Sequence, residues 1–340
     1  MKKFTLTILM LLCYFVGMPQ QKESKDVFSK SNFSGLTFRN IGPAFMSGRI
    51  ADIAIHPQNN NIWYVAVGSG GVWKTENAGT TWQPIFDDQK CYSIGCVTID
   101  ERNPNVIWLG TGENIGGRHV GYGDGIYLSE DAGKTWKNMG LEESQHISKI
   151  IIHPENSNIV WVAAQGPLWS KGGQRGLYKT TDGGKSWKKT LGDNEWTGVT
   201  DLVMDPRKPD RLYAATWQRH RNIAAYMGGG PETGLYKSED GGETWEELTN
   251  GLPKSNMGKI GLAISPQKPD VIYAAIELEN RTGGVFKSTD RGASWEKQSD
   301  AVSGATGPHY YQELYASPHQ FDLIYLVDVR MQVSEDGGKT

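Results

Sequence analysis

Glu113, Arg118, His119 and Asp124 lie close together in the chain, Arg175 follows, and Arg219, His220 and Arg221 come in direct succession after Trp217. Arginine presents a planar fork of donors that matches a carboxylate, so the cationic set suits an anionic group on a ligand. Hydrolysis of a glycosidic bond asks instead for two carboxylates flanking that bond, and Glu113, Asp124 and Asp201 are the acids whose neighbourhoods allow it. Trp169, Trp196 and Trp217 stand in the same neighbourhoods, and indole rings stack on a sugar or a peptide. Each feature has a plainer alternative: charge runs commonly do no more than solvate a loop, and rings at strand ends exclude water. His119 and His220 lack the spaced partners of a metal site, so neither a metal nor a cofactor is expected.

The elements that must position these residues are repeated. One pattern returns six times, as Lys-Thr-Glu-Asn-Ala-Gly-Thr-Thr-Trp at 74–82, Leu-Ser-Glu-Asp-Ala-Gly-Lys-Thr-Trp at 128–136, Lys-Thr-Thr-Asp-Gly-Gly-Lys-Ser-Trp at 179–187, and again at 237–245, 287–295 and 333–340. Its acidic or amide positions Asn77, Asp131, Asp182, Asp240, Asp290 and Asp336 are 54, 51, 58, 50 and 46 residues apart. A period in that range marks a repeat architecture. Upstream of the motif an apolar strand ends at a Pro, as in Ile55-His56-Pro57 or Ile152-His153-Pro154, and a second strand begins at Ile62-Trp63-Tyr64 or Val160-Trp161-Val162. Proline lacks the donor that a central ladder needs, so it closes the first strand.

Each unit therefore reads as four strands, in the first copy Arg49–His56, Ile62–Val67, Gly71–Thr75 and Trp82–Phe86, with no helical period between them. Four-stranded antiparallel units repeated about an axis make an all-β propeller. The expected blades run roughly 44–86, 92–139, 146–190, 198–248, 258–298 and 310–340, the last incomplete. The motif falls on the hairpin between third and fourth strands. There a short carboxylate bonds amides ahead of it and Gly supplies a positive φ, which gives the six Asp/Asn residues a structural role. Residues repeated once per blade are spread around a rim, whereas catalysis needs convergence.

Strand order puts the second-to-third and fourth-to-first connections on one face, and the length variation falls there: Gly68–Gly71, Gly112–Gly125, Gly166–Gly176, Trp217–Gly234 and Glu277–Gly284. Variable loops on a rigid scaffold carry function, and the residues named at the outset, with Tyr310 and Tyr311, lie on this face. Repeat positions account for nine of the twelve tryptophans; Trp169, Trp196 and Trp217 are the three left over.

The five complete motifs resemble the Asp-box, or bacterial neuraminidase, repeat, and the chain from Leu36 onward is similar to the sortilin-type N-terminal propeller. That resemblance implies a propeller and suggests binding of peptide, protein or glycan. The stretch Arg49–Trp82 resembles the start of inverting xyloglucanases, which place an Asp before the Gly-Gly that opens the third strand; here Gly68-Ser69-Gly70-Gly71 stands instead, and the carboxylate is absent. Phe38-Arg39-Asn40-Ile41-Gly42-Pro43 resembles a broken form of the Phe/Tyr-Arg-Ile-Pro run of sialidases, and spacing assigns no Tyr-Glu nucleophile pair.

Lys2 and Lys3 precede an apolar stretch, Phe4–Val16, which reads as a secretory signal over residues 1–20, followed by a polar leader at 21–35. Leu12 before Cys13 does not fit a lipoprotein signal. Export permits disulfides, but Cys91 and Cys96 are expected to be thiols. The 35 basic and 38 acidic residues are dispersed and leave a net charge of −3, which points away from nucleic acid and anionic membrane surfaces. After signal removal no membrane span is expected. The sixth motif stops one residue short of its Trp, so the chain reads as part of a longer protein, unless Phe38–Ile41 supplies a fourth strand to the last blade. The reading is an exported propeller that binds peptide, protein or glycan. The competing readings are a glycoside hydrolase with an unassigned carboxylate pair, and a structural repeat region of a larger surface protein.

Overall fold

The computed structural model describes residues 48–279, 282–302 and 311–340. The signal and leader segments, Phe38–Ile41 and Tyr310 lie outside the described residues. The described chain is an all-β, six-bladed β-propeller: five four-stranded antiparallel sheets and a sixth sheet of three strands, each in simple sequential order apart from a small ribbon inserted in blade 4. The first strands of the blades are Ile50–Ile55, Ile94–Ile99, Ile147–His153, Thr197–Asp205, Met257–Ile264 and Glu313–Ala316, each packed beside the next about the axis. An apolar cluster fills every seam between successive blades; the first, for example, joins Tyr64, Ala66 and Val72 to Ile94, Val97 and Leu109.

The hairpin motif has the same geometry in all six copies. The hydroxyl that opens the motif donates to the acidic or amide side chain two residues on and accepts the amide N–H four residues on, as Ser238 does to Asp240 at 2.8 Å and from Gly242 at 2.8 Å. Asp240 then accepts the Thr244 N–H at 2.9 Å and its hydroxyl at 2.6 Å. Two successive residues of each hairpin have positive φ: Ala78, Ala132, Gly183, Gly241, Arg291 and Gly337, each followed by Gly. The glycine expected from the motif is thus only the second of two left-handed positions, and Ala or Arg occupies the first in three copies.

Aromatic side chains staple one blade to the next. The Tyr64 hydroxyl donates to Ala132 O at 3.3 Å, Trp161 Nε1 to Gly241 O at 2.9 Å and Tyr213 to Arg291 O at 3.0 Å. In the other direction, Trp136 Nε1 donates to Ile85 O and Trp187 Nε1 to Met139 O, both at 2.8 Å. In blades 2 and 3 the motif's tryptophan thus bonds across a seam, and the fourth strand begins at the residue after it.

A register shift recurs early in the first strands of blades 1 to 5. A β-bulge re-aims the side chains beside it. Just past it, one register position holds Asp52, Cys96, Lys149, Asp201 and Gly261, and Glu313 has the same place in blade 6. Cys91 and Cys96 are both free and buried.

Candidate functional site

The connection 112–125 of blade 2 folds across the axis on the long-loop face and is bonded there to the other blades. Glu113 is fully buried; its Oε1 receives Arg49 Nε and the Tyr311 hydroxyl at 2.7 Å, and its Oε2 receives Arg49 Nη2 at 2.6 Å. Burial, and then the Glu113 carboxylate, push the Tyr311 phenol far above its ordinary pKa. Asn114 donates to Glu313 at 3.0 Å, and its carbonyl receives Lys259 Nζ at 3.1 Å and Gln165 Nε2 at 3.3 Å. Arg219 donates to Ile115 O at 2.8 Å and Gly166 O at 3.1 Å, and Arg221 to Gly116 O at 2.9 Å. Ile115, Val120, Leu168 and Tyr311 form an apolar cluster beneath this cap, with Ala51, Trp169 and Tyr226 packed against it.

Gly68 is part of the same arrangement. A Cβ on Gly68 would lie 2.6 Å from the Glu113 carboxyl carbon, so glycine is what admits that carboxylate. An acid is thus present beside the blade 1 connection, supplied from blade 2 and already committed to Arg49. A tyrosine–glutamate pair also exists, Tyr311 with Glu113, at a separation of 198 residues that no spacing rule would find.

Along the axis below the cap, Asp52, Lys149, Asp201 and Glu313 act on one another electrostatically. Asp201 accepts the amides of Leu202 at 2.8 Å and Leu262 at 2.7 Å, and Asp52 those of Ile53 and Val97 in the equivalent places. Burial raises the pKa of both aspartates, Asp201 to about 6, against the opposing pull of Lys149. Burial works against the Lys149 charge, but Asp201, Tyr315, Asp52 and Glu313 together hold the ammonium above its ordinary pKa.

The residues singled out from the sequence divide into two groups. Glu113, Trp217, Arg219 and Arg221 are buried; Trp217 Nε1 donates to Gly228 O at 2.8 Å and its ring lies 5.0 Å from the Arg219 guanidinium. Asp124 receives the Tyr127 hydroxyl at 2.8 Å. The second group reaches the surface: Arg118 and His119 are exposed at the tip of the cap, and Trp169, Trp196 and His220 are half-buried, with the Trp196 and His220 rings 4.2 Å apart. The arginine cluster expected to face an anion is therefore turned inward, since its donors serve the carbonyls that carry the cap. Two further rings that no motif or spacing marks in the sequence are exposed, Tyr92 at 66% and Tyr122 at 54%. Tyr92 O receives the Gly71 amide, and Ser93 Oγ bonds both Gly68 O and Gly121 O, which fixes both rings beside the blade 1 connection. Apart from the axis, a cleft of about 400 Å³ opens between blades 4 and 5, lined by Pro231, Glu247, Lys254, Asn256 and Met257. Among the described residues no three His, Cys, Asp or Glu side chains come together as metal ligands.

Fold and loop arrangement define a β-propeller whose long-loop face is closed over the axis. The Sortilin-Vps10 family model (sortilin, neurotensin receptor 3) matches residues 124–282. The chain is 21% identical over 347 aligned positions to a probable oligoxyloglucan-reducing end-specific xyloglucanase of Neosartorya fischeri, covering 86% of this chain and 40% of that protein. Among solved structures it is similar to a GH74 xyloglucanase from Xanthomonas campestris, with a TM-score of 0.57, 16% identity and coverage of 86% of this chain and 52% of that one. It is also similar to YCF48 from Cyanidioschyzon merolae, with a TM-score of 0.52, 17% identity and coverage of 88% and 85%. At these identities the structures show the fold alone. The chain spans about two fifths of the length of the curated xyloglucanase given above.

Proposed function

We propose that this protein is an exported propeller that binds an oligosaccharide of the xyloglucan class on its long-loop face and does not cleave it. The observation that carries the reading is the state of the three candidate acids: Glu113 is bonded to Arg49 and Tyr311, Asp124 receives Tyr127 on Oδ2 while its Oδ1 is buried, and Asp201 is bonded to two backbone amides. A general acid and base must instead be free to reach the scissile bond and its water. Exposed or half-exposed rings remain on that face, Tyr92, Tyr122, Trp169 and the Trp196–His220 pair, and aromatic faces match the apolar faces of pyranose rings. The ligand class rests on the xyloglucanase relatives, and export rests on the Lys2-Lys3 and Phe4–Val16 segment. Titration of intrinsic fluorescence with xyloglucan oligosaccharides tests it: saturable change is expected, weakened in Tyr122→Ala and Trp196→Ala with folding intact. An unchanged titration in both variants would remove this face from the account.

The relatives favour a second reading, hydrolysis of the same glycan, because the N. fischeri protein and other relatives are named as xyloglucanases. Release of reducing ends from xyloglucan separates the two.

A further inference from the structure

Arg175 and Arg219 are 2% and 0% exposed, and among the described residues every side-chain hydrogen bond they make goes to a backbone carbonyl. Arg175 serves Pro167, Ser170 and Gly172; Arg219 serves Ile115 and Gly166. Those dipoles and the Trp196 and Trp217 rings offset part of the cost of burying the two charges. Arg175 Nη1 and Arg219 Nε nevertheless have no acceptor among the described residues. Glu195, the carboxylate that acts on Arg175, is exposed and bonded to Lys171 at 3.1 Å.

The two guanidinium groups meet at Gly166, where a Cβ would lie 3.1 Å from Arg175 Cζ and whose carbonyl receives Arg219 Nη2. His146 and Ser144, both fully buried on the connection bonded to this region, add two more polar atoms without a partner among the described residues, Nε2 and Oγ. His146 also reports the local potential: burial, and then the charges of Arg219 and Arg175, depress its pKa. Arg175, Arg219 and His146 thus share a buried region with unused hydrogen-bonding atoms and a surplus of positive charge, and buried charge is ordinarily paired.

We propose that Arg175 and Arg219 hold a small inorganic anion of about the size of chloride beneath the loop cap. Arg175, Arg219 and His146 are buried, with the Trp196 ring 6.0 Å from the Arg175 guanidinium and the Tyr122 ring 5.8 Å from the His146 ring, so a site enclosed in this way takes a free ion and not the carboxylate of a bound sugar acid or peptide. Protonation of His146 at Nε2 would accompany uptake of the ion, because Nδ1 already faces Glu113 O at 2.8 Å.

Thermal unfolding of the full chain at constant ionic strength tests the proposal, with sodium chloride replacing sodium gluconate. The midpoint is expected to rise with the logarithm of chloride concentration above its Kd, and glucuronate is expected to match gluconate. In Arg175→Gln the chloride-dependent rise should vanish. Should that variant fail to fold, bromide soaked into crystals of the natural chain is expected to give an anomalous peak within hydrogen-bond reach of Arg175 Nη1 and Arg219 Nε. A midpoint indifferent to the anion, a glucuronate effect equal to that of chloride, or ordered water in place of bromide would each overturn it.

Discussion

Ala78, Ala132 and Arg291 hold positive φ values of 53°, 60° and 62° at the hairpin position where the other three copies have glycine. A residue with a Cβ pays about 1–2 kcal/mol for the left-handed region, against roughly 0.5–1 kcal/mol of extra chain entropy for glycine. Ala78 is exposed and packs on little, so Ala78→Gly should stabilise the protein by about 0.5–1 kcal/mol, read from denaturant unfolding. Ser238→Ala at the start of the fourth hairpin should cost about 1–3 kcal/mol, because it leaves the Gly242 amide without its acceptor. The hydroxyl four residues on and its amide hold Asp131, Asp182 and Asp240 at about 2, below the ordinary carboxylate range. A depressed folded pKa gives stability that is present above pH 4 and lost as pH falls toward 2. Carboxyl-carbon NMR titration should therefore show these three titrating below the surface glutamates. A short hydroxyl, acid and glycine at fixed offsets were readable as a turn from sequence. The left-handed position just before that glycine was not, since Ala and Arg in three copies conceal it.

At the scale of elements, strands and blade order followed from the period because each strand's composition and each Pro or Gly boundary is local. The cap over the axis was not legible. Its contacts join Arg49, Glu113, Gln165, Arg219, Lys259, Tyr311 and Glu313 from six blades, and no local rule reports contacts between such distant residues. Burial likewise reversed the outlook for Arg219 and Arg221: charge after Trp217 suggests a solvated or ligand-facing loop, but both donate inward to carbonyls of the cap. Glu113→Gln should accordingly act on stability. It leaves Arg49 and Tyr311 facing a neutral amide, and breaking a buried pair costs about 3–5 kcal/mol. Unfolding midpoints of Glu113→Gln and Tyr311→Phe check this, with the smaller loss expected for the tyrosine, which removes a single hydroxyl.

Among the described residues, five apolar seams join the six blades, whereas Ile53 and Ile55 on blade 1 and Val333 on blade 6 are more than half exposed, at 51%, 53% and 57%. Exposed apolar surface of this kind favours association, so this 340-residue chain should self-associate with rising concentration, and Ile53→Lys with Ile55→Lys should suppress it in light scattering. The propeller itself is shared with xyloglucanases and with YCF48, and fold alone does not decide between binding and hydrolysis. What decides is whether any acid on the long-loop face is free to act. The direct measurement is incubation of the purified chain with xyloglucan while following bound ligand and reducing ends together. Saturable binding with reducing ends no higher than in the protein-free control is the predicted result; release of reducing ends that Glu113→Gln or Asp124→Asn abolishes, with folding intact, would contradict it.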